Sequence, residues 1–324
     1  MSRIARALAL GSLAVALPAA AALVPDRTLP TPGAVTALGV THRSVVFAVA
    51  ESKQSCAYVE LWSTSTQRRW RFARYPTLCR EAPSTGTGIA AVATSGARIF
   101  WLSFAGGNIR EWDLSTATPT RRSPRHVVSV SADADDGEVP ILLGPGTRDG
   151  VPYAVGGTVT YVSDNGARLF RTTLDSPVRL IAGGSGPGGG RVVAALEDGR
   201  VVVLSRLGEV VSDEAHAGVQ PVAIALSASG PVVQIGREVT VGSLANAVRT
   251  TLPPGARLLD VRQEELVYAL GPKVRVRVVA TGDDTLLQTI AIGPSERPLF
   301  ATDTGGSAWA RGASVSWRAG PLSS

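Results

Sequence analysis

The chain has 324 residues, 44% of them hydrophobic and 18% charged. That balance excludes an intrinsically disordered polymer and leaves room for one large core or two ordinary ones. Basic residues exceed acidic ones by only 32 to 26, and lysine occurs only at Lys53 and Lys273, a skew that fits a GC-rich bacterial genome and argues against a nucleic-acid partner.

Arg3 and Arg6 precede an apolar run, ALALGSLAVALPAAAA at residues 7–22, which ends in small residues after Pro18. This is the layout of a cleaved export signal. A membrane anchor is the alternative. The uncharged stretch from Ala7 to Val24 is 18 residues, short of the ~20 that span a bilayer comfortably. Gly11, Ser12 and Pro18 also interrupt it. No cysteine lies near the junction for lipid attachment, and no later segment is long and charge-free enough to span. The expectation is an extracytoplasmic protein, secreted or held at the cell surface. Its signal is residues 1–22, and residues 23–324 form a single domain.

Beyond that point almost nothing has helical period. Seven strand-length apolar runs align without gaps, at residues 44–50, 97–103, 150–156, 191–197, 231–237, 265–271 and 307–313. Continuous apolar runs of this kind suit strands buried on both faces. Allowing a slip of one residue, one column reads Phe47, Phe100, Tyr153, Ala194, Gln234, Tyr268, Trp309. A preceding series is VTALGV (35–40), IAAVAT (89–94), VVSVSA (127–132), LIAGG (180–184), VAIALS (222–227), LLDVRQ (258–263) and LFATDT (299–304), with starts a mean of 44 residues apart. Third strands follow, such as AYVELWS, TVTYVSD and KVRVRVV, and fourth strands such as RRWRFAR and RLFRTTL. Asp164-Asn165-Gly166 marks a tight hairpin between two of them.

Blades of a β-propeller repeat at ~40–50 residues, each a four-stranded sheet. The reading is all-β, a seven-bladed propeller, with six or eight blades as alternatives. The seventh copy stops after its third strand at Ser316-Trp317-Arg318. Residues 24–31, VPDRTLPT, are expected to supply its outer strand and close the ring. Blade 3 is ambiguous, because residues 133–149 interrupt it and VPILLG within them reads as a further strand.

Asn108-Ile109-Arg110-Glu111-Trp112-Asp113-Leu114 resembles the third-strand ending of WD-repeat propellers, and Val59-Glu60-Leu61-Trp62-Ser63 is a partial copy of it. The hairpin TVTYVSDNGARLFRTTL is similar to the repeat of quinoprotein-type propellers. These resemblances imply the architecture without a specific family or activity.

Several residues invite a functional reading. Cys56 and Cys79 are the only cysteines. In an exported chain they are expected to form a disulfide at one end of blade 1. Asp133, Asp135 and Asp136 are the best metal candidates, but the run is too short for a calcium loop and lacks the closing glutamate. A solvated turn is the reading, and no cofactor is expected. Gly184-x-Gly186-x-x-Gly189 lacks the helix that a dinucleotide fingerprint needs behind it. His42, His126 and His216 sit in different blades without ligand spacing.

Arginines at 68, 69, 71 and 74, and at 121, 122 and 125, fall on outer strands, where charge blocks edge pairing. All six tryptophans belong to blades 7, 1 and 2, and no aromatic residue lies from Arg171 to Val267. The expected binding face is the end of the ring that holds the blade-to-blade connections and the loops between second and third strands. It collects Lys53, Arg80, Glu81, His216, Arg257 and Arg297. The functional expectation is a secreted binding propeller that recognises a protein or a cell-surface polymer. The alternative is a propeller enzyme, either a quinoprotein-like dehydrogenase or a metal-dependent lactonase or lyase.

Overall fold

The computed structural model describes residues 25–41, 44–51, 56–72, 89–95, 98–105, 110–118, 125–132, 141–163, 166–216, 219–262, 265–290, 298–303 and 305–320. These form seven four-stranded antiparallel sheets arranged as a seven-bladed β-propeller. Blades 1 to 6 occupy residues 34–72, 89–132, 141–173, 178–215, 223–251 and 257–289. Blade 7 takes three strands from residues 300–319 and its outer strand, Arg27–Pro30, from the other end of the chain. The first strand of each blade contacts the first strands of its two neighbours, so these strands line the centre of the ring. Among the described residues the one helix is a 3-10 turn at Pro187–Gly189, and no helix is long and apolar enough to cross a membrane.

Every blade is wedged between two others, which is why its middle strands are apolar on both faces. One cluster of buried side chains sits at each junction. Phe47 and Trp62 meet Trp317 between blades 1 and 7, and Val46 meets Trp101 between blades 1 and 2. Phe100 meets Val151 between blades 2 and 3, and Tyr161 meets Val192 between blades 3 and 4. The remaining junctions pair Val193 with Val233, Val232 with Tyr268, and Val267 with Trp309. The tryptophans described with their side chains therefore serve packing.

Two sequence expectations change in detail. The run at 127–132 is the outer strand of blade 2 (Arg125–Ala132), paired with Arg110–Ala117. The inner strand of blade 3 is instead Ile141–Leu143, from the VPILLG alternative. Inner and outer strands both tolerate mixed apolar and small residues, so composition alone cannot separate them. The aromatic column also splits. Phe47, Tyr153, Ala194, Tyr268 and Trp309 pack toward the preceding blade, whereas Phe100 and Gln234 reach the following one. Neighbouring positions of a strand face opposite ways, yet the one slipped residue, Trp309, keeps the majority face while Phe100 and Gln234 change face without a slip, so alignment of the copies by sequence does not assign the face.

Closure by the first strand is extensive. Arg27 to Pro30 pair with Trp317 to Ser314, and Leu29 packs on the cluster between blades 1 and 7. Asp26 N donates to Trp317 O at 2.9 Å, Thr31 N donates to Ala313 O at 2.8 Å, and Asp26 Oδ2 accepts from Ala319 N at 2.7 Å.

Candidate functional site

Antiparallel topology gives the ring two unlike ends. One end holds the turns between first and second strands and between third and fourth strands. The other holds the turns between second and third strands and the connections from blade to blade.

A concavity opens at the first of these ends, over blades 4, 5 and 6. It has a volume of about 680 Å³, within the range of small-molecule pockets, ~300–1,000 Å³. Val203, Val211, Leu226, Val241, Val248 and Val279 form its apolar walls. Ser229, Ser243 and Asn246 supply polar atoms from two adjoining turns of blade 5, and Asn246 N donates to Ser243 O at 2.9 Å. Among the described residues no charged side chain lines it.

Glycine makes this geometry. A Cβ on Gly184 would lie 2.3 Å from the carbonyl oxygen of Leu226, so only glycine lets the blade 4 turn lie against the inner strand of blade 5. Gly242, beside Ser243, has φ +100. The glycine-rich run at 183–190 therefore serves close packing as well as the turn itself.

The sequence-derived candidates fall largely elsewhere. Residues 1–22, His42, Lys53, Cys79, Arg80, Glu81, Asp133, Asp135, Asp136 and Arg297 lie outside the described residues. Cys56 begins the third strand of blade 1, opposite Glu51. His216 follows the outer strand of blade 4, and Arg257 opens the inner strand of blade 6. Both belong to the end with the blade-to-blade connections, one blade apart. Burial holds the His216 imidazole below its usual pKa, with Glu214 partly opposing.

Arg69 and Arg71 do more than guard an edge. Glu60 on the neighbouring strand is 1% exposed; Arg69 binds one carboxylate oxygen and Arg71 lies 3.7 Å from the other. The Arg71 guanidinium also sits 3.9 Å over the Tyr58 ring. Burying a carboxylate costs heavily unless it is paired, and these two arginines supply the pairing. The hydrogen bond that Arg69 donates to Glu60 raises the pKa of Arg69.

Two polar clusters were not legible in the sequence. Across the outer strands of blade 2, Ser129 Oγ donates to Asp113 Oδ1 and lies 3.1 Å from His126 Nε2. A register shift between Leu114 and Ser115 brings His126 to the face of Ser129, as a β-bulge does. Serine is the middle member, and His126 Nδ1 is 3.9 Å from Asp113. A nucleophile–base–orienter relay needs the imidazole in the middle, so this is a surface network.

The second cluster lies on inner strands. Asp260 of blade 6 accepts from Thr302 Oγ1 of blade 7 at 2.7 Å and from Val261 N at 2.7 Å. Burial raises its pKa, with the Thr302 bond and Arg262 opposing and Asp303 adding to the rise. Asp303 Oδ1 is occupied by the backbone N–H groups of Gly305 and Gly306. Among the described residues no three His, Cys, Asp or Glu side chains are grouped to hold a metal ion.

No family model matches the chain, and no curated protein matches its sequence. Solved structures do match its shape. It is similar to a catalytically inactive virginiamycin B lyase from Staphylococcus aureus, crystallised with quinupristin. The TM-score is 0.59 and the identity 10%, over 90% of this chain and 97% of that one. It is also similar to the β-propeller domain of Cps50 (Swd1) from Myceliophteria thermophila, with TM-score 0.56 and 12% identity, over 92% and 99% of the two chains. At such identities the likeness is one of fold.

Proposed function

We propose that the chain is an exported binding propeller, in which a rigid seven-bladed ring presents recognition surfaces. One observation carries the reading: the concavity over blades 4 to 6 is lined, among the described residues, by neutral side chains. It offers shape and a few hydrogen bonds, with serine hydroxyls but no imidazole, carboxylate or amine among the described residues that line it. Acid–base or covalent chemistry needs such groups within hydrogen-bond reach.

The enzyme alternative draws on Asp260 and Asp303, two carboxylates on adjacent inner strands. Each is already engaged by neighbours within the ring, which favours a structural role. The lyase named among the similar structures lends this chain its fold and no residue of a site.

Export rests on the charge and apolar pattern of residues 1–22, and it supports a disulfide between Cys56 and Cys79. That bridge would pin the connection from blade 1 to blade 2 at the end that also carries His216 and Arg257. A pinned loop loses less entropy on binding, so this end is the proposed face for a protein or surface polymer, through Lys53, Arg80, Glu81 and Arg297.

The test isolates the mature protein from culture medium and sequences its N-terminus. It then compares what remains bound to the wild type, an Arg80→Glu/Arg297→Glu variant and an Asp133→Ala/Asp135→Ala variant. A start near Leu23, with binding lost only in the arginine variant, is the expected result. A start at Met1 overturns export, and loss only in the aspartate variant moves the face to the other end.

A further inference from the structure

The concavity over blades 4 to 6 has a chemistry of its own, independent of the face proposed above and at the opposite end of the ring. Three observations converge on it. First, its walls are aliphatic and its polar atoms are confined to Ser229, Ser243 and Asn246 of blade 5, apart from Ser212 on the opposite wall. The Ser212 hydroxyl donates to Glu214 Oε1 at 3.2 Å, so it is already engaged. Secondly, none of the described lining residues is charged, although the chain has 58 formally charged side chains, 32 basic and 26 acidic. Thirdly, of the eight large hydrophobic residues exposed among those described, Val211 and Val248 belong to its lining, and Leu207, Val210 and Leu244 lie within four residues of them along the same outer turns and strand starts of blades 4 and 5. Exposed apolar groups that cluster around a concave surface mark a binding site more often than scattered ones do.

We infer that this groove binds a compact, uncharged, largely apolar small molecule, with its hydrogen-bonding end against Ser229, Ser243 and Asn246. The neutral lining sets the charge of the occupant. A carboxylate or sulfonate placed here would lose hydration with no opposite charge to replace it, and would lie near the Glu214 carboxylate that Ser212 and Leu244 N hold at the groove edge. The volume sets its size, which is that of a drug-like molecule rather than of a folded domain. The polar strip on one side sets its orientation. Gly188 and Gly242 are among the lining residues and present no side chain, so the occupant can approach backbone closely there.

A matched pair of probes tests the inference. N-phenyl-1-naphthylamine is uncharged, and 8-anilino-1-naphthalenesulfonate is the same aromatic frame with a sulfonate added. Titration of the purified protein, followed by fluorescence, should show saturable binding of the neutral probe at one site and clearly weaker binding of the sulfonated one.

Val211→Glu and Val248→Glu each place a carboxylate on the groove wall at an exposed position, 42% and 53% exposed in the parent, so the fold should tolerate them. Each should weaken the neutral probe about tenfold or more, while Leu169→Glu, an exposed aliphatic site on blade 3 outside the groove, should leave it unchanged. Melting curves of the three variants confirm that they are folded.

Absence of saturable binding in the wild type overturns the inference. So does equal affinity in all three variants, or tighter binding of the sulfonated probe that the groove variants weaken. Sedimentation at rising concentration gives a further outcome. A wild-type dimer that Val248→Glu makes monomeric would show that the groove receives a second copy of the chain, and the small-molecule assignment would fall.

Discussion

Gln234 occupies a position at which the other blades place an aromatic or aliphatic side chain, and it is fully buried. Its amide is used completely. Nε2 donates to Gly236 O at 2.9 Å and to Ala256 O at 2.8 Å, while Oε1 accepts from Leu258 N at 2.7 Å. One side chain thus stitches blade 5 to the inner strand of blade 6. Gln234→Leu keeps the volume but leaves a buried N–H and a buried C=O without their partner. The expected loss is about 2–4 kcal/mol, read as a lower urea midpoint.

Asp260 gives a prediction of opposite sign. Burial raises its pKa, and Thr302 and Arg262 recover only part of the shift. The folded state therefore holds the proton more tightly than the unfolded chain, whose carboxyl titrates near ~3.9. Stability must fall as pH rises from that value through the raised one, and below the window the penalty vanishes. Asp260→Asn can accept from Val261 N and donate to Thr302 without charge. Its melting temperature should match the wild type in acid and exceed it at neutral pH. An Asn variant less stable at pH 7 would show the carboxylate to be net stabilising.

At the scale of elements, the closing strand Arg27–Pro30 is short, yet it completes blade 7 and covers the edge of the apolar strand Ser314–Ala319, leaving a more polar strand as the outer edge. Its partly buried Leu29 and the Thr28–Ser316 hydroxyl contact at 3.1 Å fix its register. A mature chain lacking residues 24–31 should melt at lower temperature and scatter light on standing, because an exposed edge recruits other chains. Unchanged melting and solubility would mean that the ring does not depend on this strand.

The strand could be read from the sequence because the last blade was visibly incomplete. The exchange between residues 127–132 and Ile141–Leu143 could not. A three-residue inner strand carries too little pattern to stand out, whereas the bulged outer strand of blade 2 imitates an inner one. The groove was equally hidden. Turns of three blades build it from Gly, Ser, Pro and Val, residue types that carry no motif. The trace it left was the lack of any aromatic from Arg171 to Val267, where smaller side chains fill less space.

The whole molecule is held by seven junction clusters, and each blade takes part in two of them. No blade buries its faces alone, so local loss at one junction must weaken the entire ring rather than free a single blade. Phe47 at the junction of blades 7 and 1 and Leu204 at that of blades 3 and 4 are both fully buried and lie in separate clusters. Phe47→Ala should cost about 3–5 kcal/mol and Leu204→Ala about 2–5 kcal/mol, from lost burial and the cavities left behind. The two sites share no partner, so the double variant should lose the sum to within about 0.5 kcal/mol. Each variant should still unfold in one step, with the denaturant slope of the wild type. The measurement is urea unfolding followed both by tryptophan fluorescence, which reports on blades 7, 1 and 2, and by far-UV circular dichroism, which reports on all seven. Coincident curves in every variant are expected. If Leu204→Ala shifts the dichroism curve and leaves the fluorescence curve in place, the aromatic sector folds as a unit of its own and the ring is not one cooperative structure.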